Sequence, residues 1–130
     1  MEDKKKLLEY FKKDRYIIKN GIEIIEITDN KAVCKAKVTP EHLNAEDVIQ
    51  GGMLYTIADF TFAVLANYLH GKTVSQTAAI SYLRPAKDCL EIRAVAEELS
   101  ATRHNCVHKV TVTDEKGQTL VIAQINGFIF

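Results

Sequence analysis

Asp59 lies in a run of apolar residues that includes Met53, Leu54, Ile57, Ala58, Phe60, Phe62 and Ala63 to Ala66. At helical spacing these cover almost every side of a segment from Gly51 to about Leu69, and a helix apolar all round is buried on most sides. An ionised carboxylate buried without partners is costly, and Asp is a poor helix-interior residue by propensity. No Lys or Arg lies within the segment to pair it. The group must therefore be paired from elsewhere, protonated, or open to a cavity. A carboxyl held in that way is a candidate general base or nucleophile. The competing reading is an Asp that caps a neighbouring helix or pairs a buried cation.

Gly51-Gly52 opens the same segment. Residues without side chains let a ligand approach backbone N–H groups closely. The first N–H groups of a helix are unpaired and lie at the positive end of its dipole. Such donors suit the oxyanion of a tetrahedral intermediate, although Gly-Gly also suits a tight turn. Gly51 and Asp59 are eight residues apart, about 12 Å along a helix at 1.5 Å per residue. A base and an oxyanion donor must both come within roughly 3 Å of the reacting atoms. One helix cannot bring both to one site, so the spacing predicts two antiparallel helices from two subunits, and a twofold dimer then carries two equivalent sites. Asn44, on the loop leading in, has an amide suited to holding the carboxylate or a water, or to serving as an ordinary turn asparagine.

These groups need a scaffold. Residues 3–14 place Leu7, Leu8, Tyr10 and Phe11 among lysines, as a short amphipathic helix does, and docking on its own sheet is expected of it. Strands are expected at Ile22–Thr28 and Ala32–Thr39, joined by Asp29-Asn30, with Val33, Lys35 and Lys37 on one face and Cys34, Ala36 and Val38 on the other. His70-Gly71 is expected to stop the central helix. Four further strands follow at Ser75–Leu83, Leu90–Leu99, His104–Thr113 and Thr119–Phe130, the last two joined by a hairpin turn ending at Gly117. The order predicts an α+β fold: a curved antiparallel sheet of five to six strands wrapping one long central helix, with a short N-terminal helix. The 130 residues form one domain, of which 1–20 is the N-terminal helical segment.

Lys plus Arg equals Asp plus Glu at 17 each, which argues against nucleic acid as a partner. Cys34, Cys89 and Cys106 have no CxxC spacing and read as small apolar side chains in strands. The start, MEDKKKLLEYFKKD, has no long apolar run of a signal peptide. No stretch is expected to approach the ~20 apolar residues that span a bilayer. Together these predict a cytoplasmic protein with no membrane partner. His42, His70, His104 and His108 show no ligand spacing and read as surface or strand residues, His104 and His108 on one face of a strand. No metal is expected.

The stretch HLNAEDVIQGGMLYTIADFTFAVLAN, with TAAISYLRPA downstream, resembles the hotdog-fold acyl-CoA thioesterases, especially the phenylacetate-pathway (PaaI-like) type. In that family a loop Asn precedes a His-Gly-Gly at the helix start, with an Asp eight residues beyond the first Gly. The resemblance covers residues 20–130 and implies the hotdog fold, a helix wrapped by a sheet. It implies hydrolysis of an acyl-CoA thioester, with Asp59 as nucleophile or general base, the Gly51 N–H polarising the carbonyl, and Asn44 orienting the carboxylate or water. Thr77 matches a family position where a hydroxyl helps place the attacking water. Gln50 stands where many relatives have His; it keeps a hydrogen-bond donor but cannot titrate. Gly52, Arg84, Lys87 and Arg103 are candidates to bind substrate, the basic ones at the nucleotide phosphates. Coenzyme A enters as part of the substrate, and no separate cofactor is implied. A homodimer completes the site, as a dimer of dimers.

Two other functions fit the same pattern. A non-catalytic acyl-CoA-binding module of the same fold would accompany an upstream DNA-binding region, for which some 20 residues before the first strand are too few. An enoyl-thioester hydratase would pair the Asp with a His further along the helix, and residues 60–69 contain none.

Overall fold

The computed structural model describes all 130 residues. The chain runs α1 (Lys4–Phe11), α2 (Arg15–Lys19), β1 (Ile22–Ile27), β2 (Ala32–Lys37), a 3-10 turn (Pro40–His42), α3 (Gly51–His70), β3 (Thr73–Tyr82), β4 (Glu91–Ala101), β5 (Asn105–Asp114) and β6 (Thr119–Ile129). The strands make one antiparallel six-stranded sheet in the order β1-β2-β4-β5-β6-β3. This is the hotdog arrangement, with α3 held in the concave side of the sheet and touching all six strands.

Alternation makes this packing possible. Ile92, Ala94 and Ala96 of β4 are buried, as are Cys106, His108, Val110 and Val112 of β5 and Val121, Ala123 and Ile125 of β6. Each set steps by two residues, so one face of the curved sheet is a continuous inner wall. Against it α3 buries eleven residues, Ile57, Ala58, Phe62, Val64, Leu65 and Ala66 being fully enclosed. Gly71 ends the helix at φ 78°, a conformation that glycine adopts without steric penalty.

Some details differ from the sequence expectations. The N-terminal segment is two helices, each started by an aspartate: Asp3 Oδ1 accepts the Lys5 N–H at 2.8 Å and Asp14 Oδ1 the Ile17 N–H at 3.2 Å. The first docks on α3 rather than on the sheet, with the Phe11 ring edge-on to Phe60 at 5.2 Å, while α2 contacts β1. Cys89 lies in the turn before β4 rather than in a strand, half-buried. With 20 residues, α3 is long and apolar enough to cross a membrane by length and composition, contrary to the expectation of no such stretch; most of it is buried inside the domain. Of the aromatics on α3, Phe60 and Phe62 fill the core and Tyr55 is exposed.

Gly127, on β6, marks the tightest contact between sheet and helix. A Cβ there would lie 2.6 Å from Phe62 Cζ, 3.0 Å from Thr73 Cγ2 and 3.2 Å from Cys106 Sγ. Phe62 is fully buried and cannot swing away. Gly127→Ala is therefore expected to destabilise the fold by about 1–3 kcal/mol through overpacking, read as a lower urea midpoint with an unchanged slope.

Candidate functional site

The entry to α3 is held by the loop before it. Asn44 Oδ1 accepts the Glu46 N–H at 2.9 Å and the Val48 N–H at 3.2 Å, while the Asn44 N–H donates to the Val48 carbonyl at 2.8 Å. Asp47 closes the turn at φ 57°, left-handed backbone that Asp tolerates better than most residues. The Asn44 side chain is thus a turn former through its oxygen. Its Nδ2 has no partner within the chain and remains available as a donor.

Gln50 then caps α3. Its own N–H donates to the His42 carbonyl at 2.8 Å, its carbonyl takes the first helical hydrogen bond, from Met53, at 2.9 Å, and its exposed side chain makes no cap bond. Neither the Gly51 nor the Gly52 N–H has an acceptor within the chain. These are two free donors at the positive end of a 20-residue helix. The Tyr82 ring covers Gly51, 3.4 Å from where a Cβ would stand, and its hydroxyl donates to the Gly51 carbonyl at 3.3 Å. Tyr82 went unread in the sequence because an aromatic at the end of a strand carries no signal of its own.

Asp59 is half-buried, on the one side of α3 that the domain leaves uncovered. Gly52, Tyr55, Thr56, Asp59 and Ala63 form this stripe, none of them buried. The Asp59 Oδ1 atom is itself enclosed and has no hydrogen-bond partner. Burial pushes the Asp59 carboxyl above the ordinary carboxylate range, and a hydrogen bond from the Ser75 side chain offsets part of that rise. The carboxyl is neither capping a helix nor paired with a cation.

Ser75, and not Thr77, is the hydroxyl beside it. Ser75 pairs with Gly127, which faces Phe62, so Ser75 points toward α3. A β-bulge then shifts the register, and Thr77 pairs with Asn126, on the face turned away from α3. Thr77 was a candidate through the family resemblance alone, and nothing in Ser75-Gln76-Thr77 announces a bulge.

The basic residues separate. Arg84 and Lys87 are exposed just beyond β3, at the end of the domain where α3 starts, and Lys87 bridges to Val48 of the entry loop. Arg103 is exposed in the β4–β5 turn, at the end where α3 stops. A single chain does not gather the three into one patch.

Two histidines depart from the surface-or-strand expectation, His42 in a 3-10 turn and His70 half-buried at the end of α3, while His104 is exposed and His108 lies in β5. His42 is buried in the 3-10 turn, its Nδ1 accepting the Thr39 N–H at 3.2 Å and its Nε2 donating to the Asn20 carbonyl at 3.1 Å. His104 precedes β5 and stacks on Phe128, whereas His108 points into the core, so the two do not share a face. His108 and His70 both meet Glu98. Burial pushes the His108 imidazole below its ordinary value, against the pull of Glu98. Cys34 behaves as an apolar side chain, its thiol pushed up to about 12 by burial.

A long apolar helix in a curved antiparallel sheet, with free N–H groups at its start and an orphaned carboxyl two turns on, defines a class. The chain belongs to the thioesterase superfamily, whose family model matches residues 47–121, from the entry loop to β6. It is similar to the acyl-coenzyme A thioesterase PaaI of Escherichia coli, 26% identical over 102 residues that cover 78% of this chain and 73% of that protein. It is also similar to human acyl-coenzyme A thioesterase 13, 31% identical over 85 residues, 64% of this chain and 56% of that one. The solved structure of E. coli PaaI has the same fold, with a TM-score of 0.90 at 23% identity over 95% of this chain and 89% of that one. A hypothetical thioesterase protein from Streptococcus pneumoniae, solved with coenzyme A, matches with a TM-score of 0.86 at 25% identity, covering 95% of this chain and 96% of that one.

The position of Asp59 has a measurable cost. In the unfolded chain its carboxyl titrates near ~3.9, and in the folded protein above that. Below the unfolded value the group is neutral in both states and costs nothing. Above the folded value it is charged in both, and the fold bears the full desolvation penalty. Asp59→Asn keeps the shape without the charge. Melting temperatures are expected to be higher for the variant at pH 7 and to converge with those of the wild type as pH falls toward about 4, as differential scanning fluorimetry across pH would record.

Proposed function

We propose that the chain hydrolyses acyl-CoA thioesters at a site completed by two subunits, with Asp59 of one subunit facing the Gly51 N–H of the other. The observation that carries this reading is the orphaned Asp59 carboxyl on the uncovered stripe of α3, eight residues from two unpartnered helix-start donors. About 12 Å of helix separates them in one chain, too far to act on one carbonyl. Two such helices packed antiparallel through the stripe bring the Gly51 of each level with the Asp59 of its neighbour.

Two features of the surface support that pairing. The stripe of Gly52, Tyr55, Thr56, Asp59 and Ala63 mixes small and apolar residues that a second helix can cover. The strand beside it, β3, is an edge of the sheet, ten residues long, with free backbone groups along one side. A long open edge is a template for pairing with another chain. The opposite edge, β1, is short and carries a bulge, both of which discourage pairing. The pair is the minimal active unit, and a dimer of dimers the expected assembly.

In the reaction the thioester carbonyl oxygen accepts the Gly51 N–H, which strengthens as negative charge develops on that oxygen. Asp59 then takes a proton from water as the hydroxide equivalent adds to the carbonyl carbon; alternatively its own oxygen adds, giving a mixed anhydride that water later opens. In both routes the C–S bond breaks, and the coenzyme A sulfur leaves with the electron pair. A raised Asp59 pKa makes the carboxylate a better base. Ser75 and the free Nδ2 of Asn44 are positioning groups for the carboxylate or water. Gln50 offers an amide N–H beside the oxyanion donors, and Gly52 leaves room for the substrate. Arg84, Lys87 and Arg103 are the candidates for the coenzyme A phosphates. The names borne by the relatives, acyl-coenzyme A thioesterases, agree with this substrate class.

The test follows thiol release from a panel of acyl-CoAs. Asp59→Asn is expected to lower kcat by about 10²–10⁴-fold, the usual contribution of a general base, while the fold persists. Gly51→Pro removes the N–H at a first helical position that accepts proline, with its Cβ at ordinary contact distance from Tyr82, and is expected to inactivate the enzyme as well. Refolded together, the two inactive variants should recover about a quarter of wild-type activity, because half of the random dimers hold one intact site of two. Undiminished turnover in Asp59→Asn would refute the catalytic role. Full inactivity of the mixture, with mixed dimers present, would refute the shared site.

A further inference from the structure

At the far end of α3 the fold gathers a second set of reactive side chains. His70 closes the helix, Glu98 ends the inward row of β4, and Cys106 begins the inward row of β5. The His70 Nε2, a Glu98 carboxylate oxygen and the Cys106 Sγ all lie within 4.8 Å of one another. Glu98 Oε2 is 2.5 Å from His70 Nε2 and 3.0 Å from His108 Nε2. Glu98 pairs with His108 in the regular β4–β5 register, and the bulge just after Glu98 shifts Cys106 to pair with Ala101. His108 is wholly enclosed, and its Nδ1 has no partner.

This donor set exceeds what the core requires. One acceptor satisfies the buried His108 Nε2–H, and Glu98 supplies it. The second imidazole and the thiol add nothing to that balance. Imidazole, thiolate and carboxylate are together the ligands of zinc, at about 2.0–2.3 Å from the ion. Donors around a tetrahedral ion at such distances are about 3.3–3.7 Å apart, so small rotamer changes close the observed triangle. His108 holds the same carboxylate oxygen, Oε2, and leaves Glu98 Oε1 without a partner in the chain, as a supporting hydrogen bond to a metal ligand does. An ion can enter, because the His70 and Glu98 side chains are 20% and 23% exposed while Cys106 lies beneath them.

We propose that His70, Glu98 and Cys106 form a binding site for a thiophilic divalent ion, zinc above all, with His108 holding Glu98 in place. Binding displaces the thiol proton to solvent, His70 binds as a neutral imidazole through Nε2 with its proton on Nδ1, and one water completes four-coordination. Without an ion the thiol stays protonated, its pKa pushed up to about 11 by burial and the Glu98 charge. The site ties the last residue of α3 to β4 and β5. It is eleven residues from Asp59, about 16 Å along the helix, so it is a structural clip and not part of the thioester chemistry. It stands whether or not the proposed hydrolysis does.

Cobalt(II) is the probe, added to the full-length protein after treatment with a chelator. One cobalt per chain is expected, with the visible absorption of tetrahedral coordination and a thiolate-to-cobalt charge-transfer band. Cys106→Ser should abolish that band. His70→Ala and Glu98→Gln should each weaken binding by at least about tenfold, and His108→Gln by about 10–100-fold through the loosened carboxylate. Zinc should raise the melting temperature of the wild type but not of Cys106→Ser. Cys89→Ser is the control, since Cys89 is half-buried and lies 3.6 Å from Glu115, a second thiol near a carboxylate. No band in the wild type, a band lost with Cys89 instead of Cys106, or an affinity unchanged by both His70→Ala and Glu98→Gln would overturn the site. Glu98→Gln, partly exposed, keeps the test decisive even where the buried variants fail to fold.

Discussion

Everything in this domain follows from the need to dry a helix that has almost no polar side. Eleven of the twenty residues of α3 are buried, and each large apolar side chain among them contributes about 1.5–3 kcal/mol on leaving water. No flat sheet can enclose such a cylinder. The six strands curl round it, and their inward rows of alanine and valine, with Gly127 where Phe62 presses closest, keep the wall thin enough for contact. The helices α1 and α2 close part of the remaining gap by setting Phe11 against Phe60. What stays open is one stripe, and Asp59 is on it.

The same helix therefore organises three chemically distinct places. Its start offers free N–H groups because the first turn of a helix has no internal acceptors for them and the Gln50 side chain caps neither Gly51 nor Gly52. Its middle holds a carboxyl that burial keeps basic, with Ser75 as its neighbouring hydroxyl. Its end delivers His70 to Glu98 and, through Glu98, to His108. A rigid rod is suited to this because the separation of its functional groups cannot relax. The rigidity that keeps Gly51 from Asp59 in one chain makes the uncovered stripe and the free β3 edge meaningful as surfaces for a second copy.

The order of elements was legible in the sequence because it rests on local signals. Period-two burial, the apolar run of α3, the Gly71 stop and the Asp114-to-Gly117 turn each depend on neighbouring residues, and the observed strands begin and end within a residue or two of their expected places. Asp59 was legible for the opposite reason, as a residue that violates its surroundings. The neighbour of Asp59 was not legible, because a bulge between Ser75 and Thr77 turns Ser75 toward α3 and Thr77 away from it. His108 was legible as a strand residue, but its enclosure beside Glu98 depends on strand pairing and leaves no local signal.

By itself, then, the sequence determined that one charged residue stands on an otherwise apolar helix, that two glycines open that helix, and that eight residues separate them. Those facts need only the helical rise and the cost of burying a charge. Tertiary structure decided which hydroxyl reaches Asp59, which side of α3 stays uncovered, that Tyr82 covers Gly51, and that His70, Glu98 and Cys106 meet. The physical reason is the same in each case. Contacts along a helix or strand are set by spacing within the chain, whereas contacts between elements are set by register, and a single bulge shifts register without leaving a mark in composition or period.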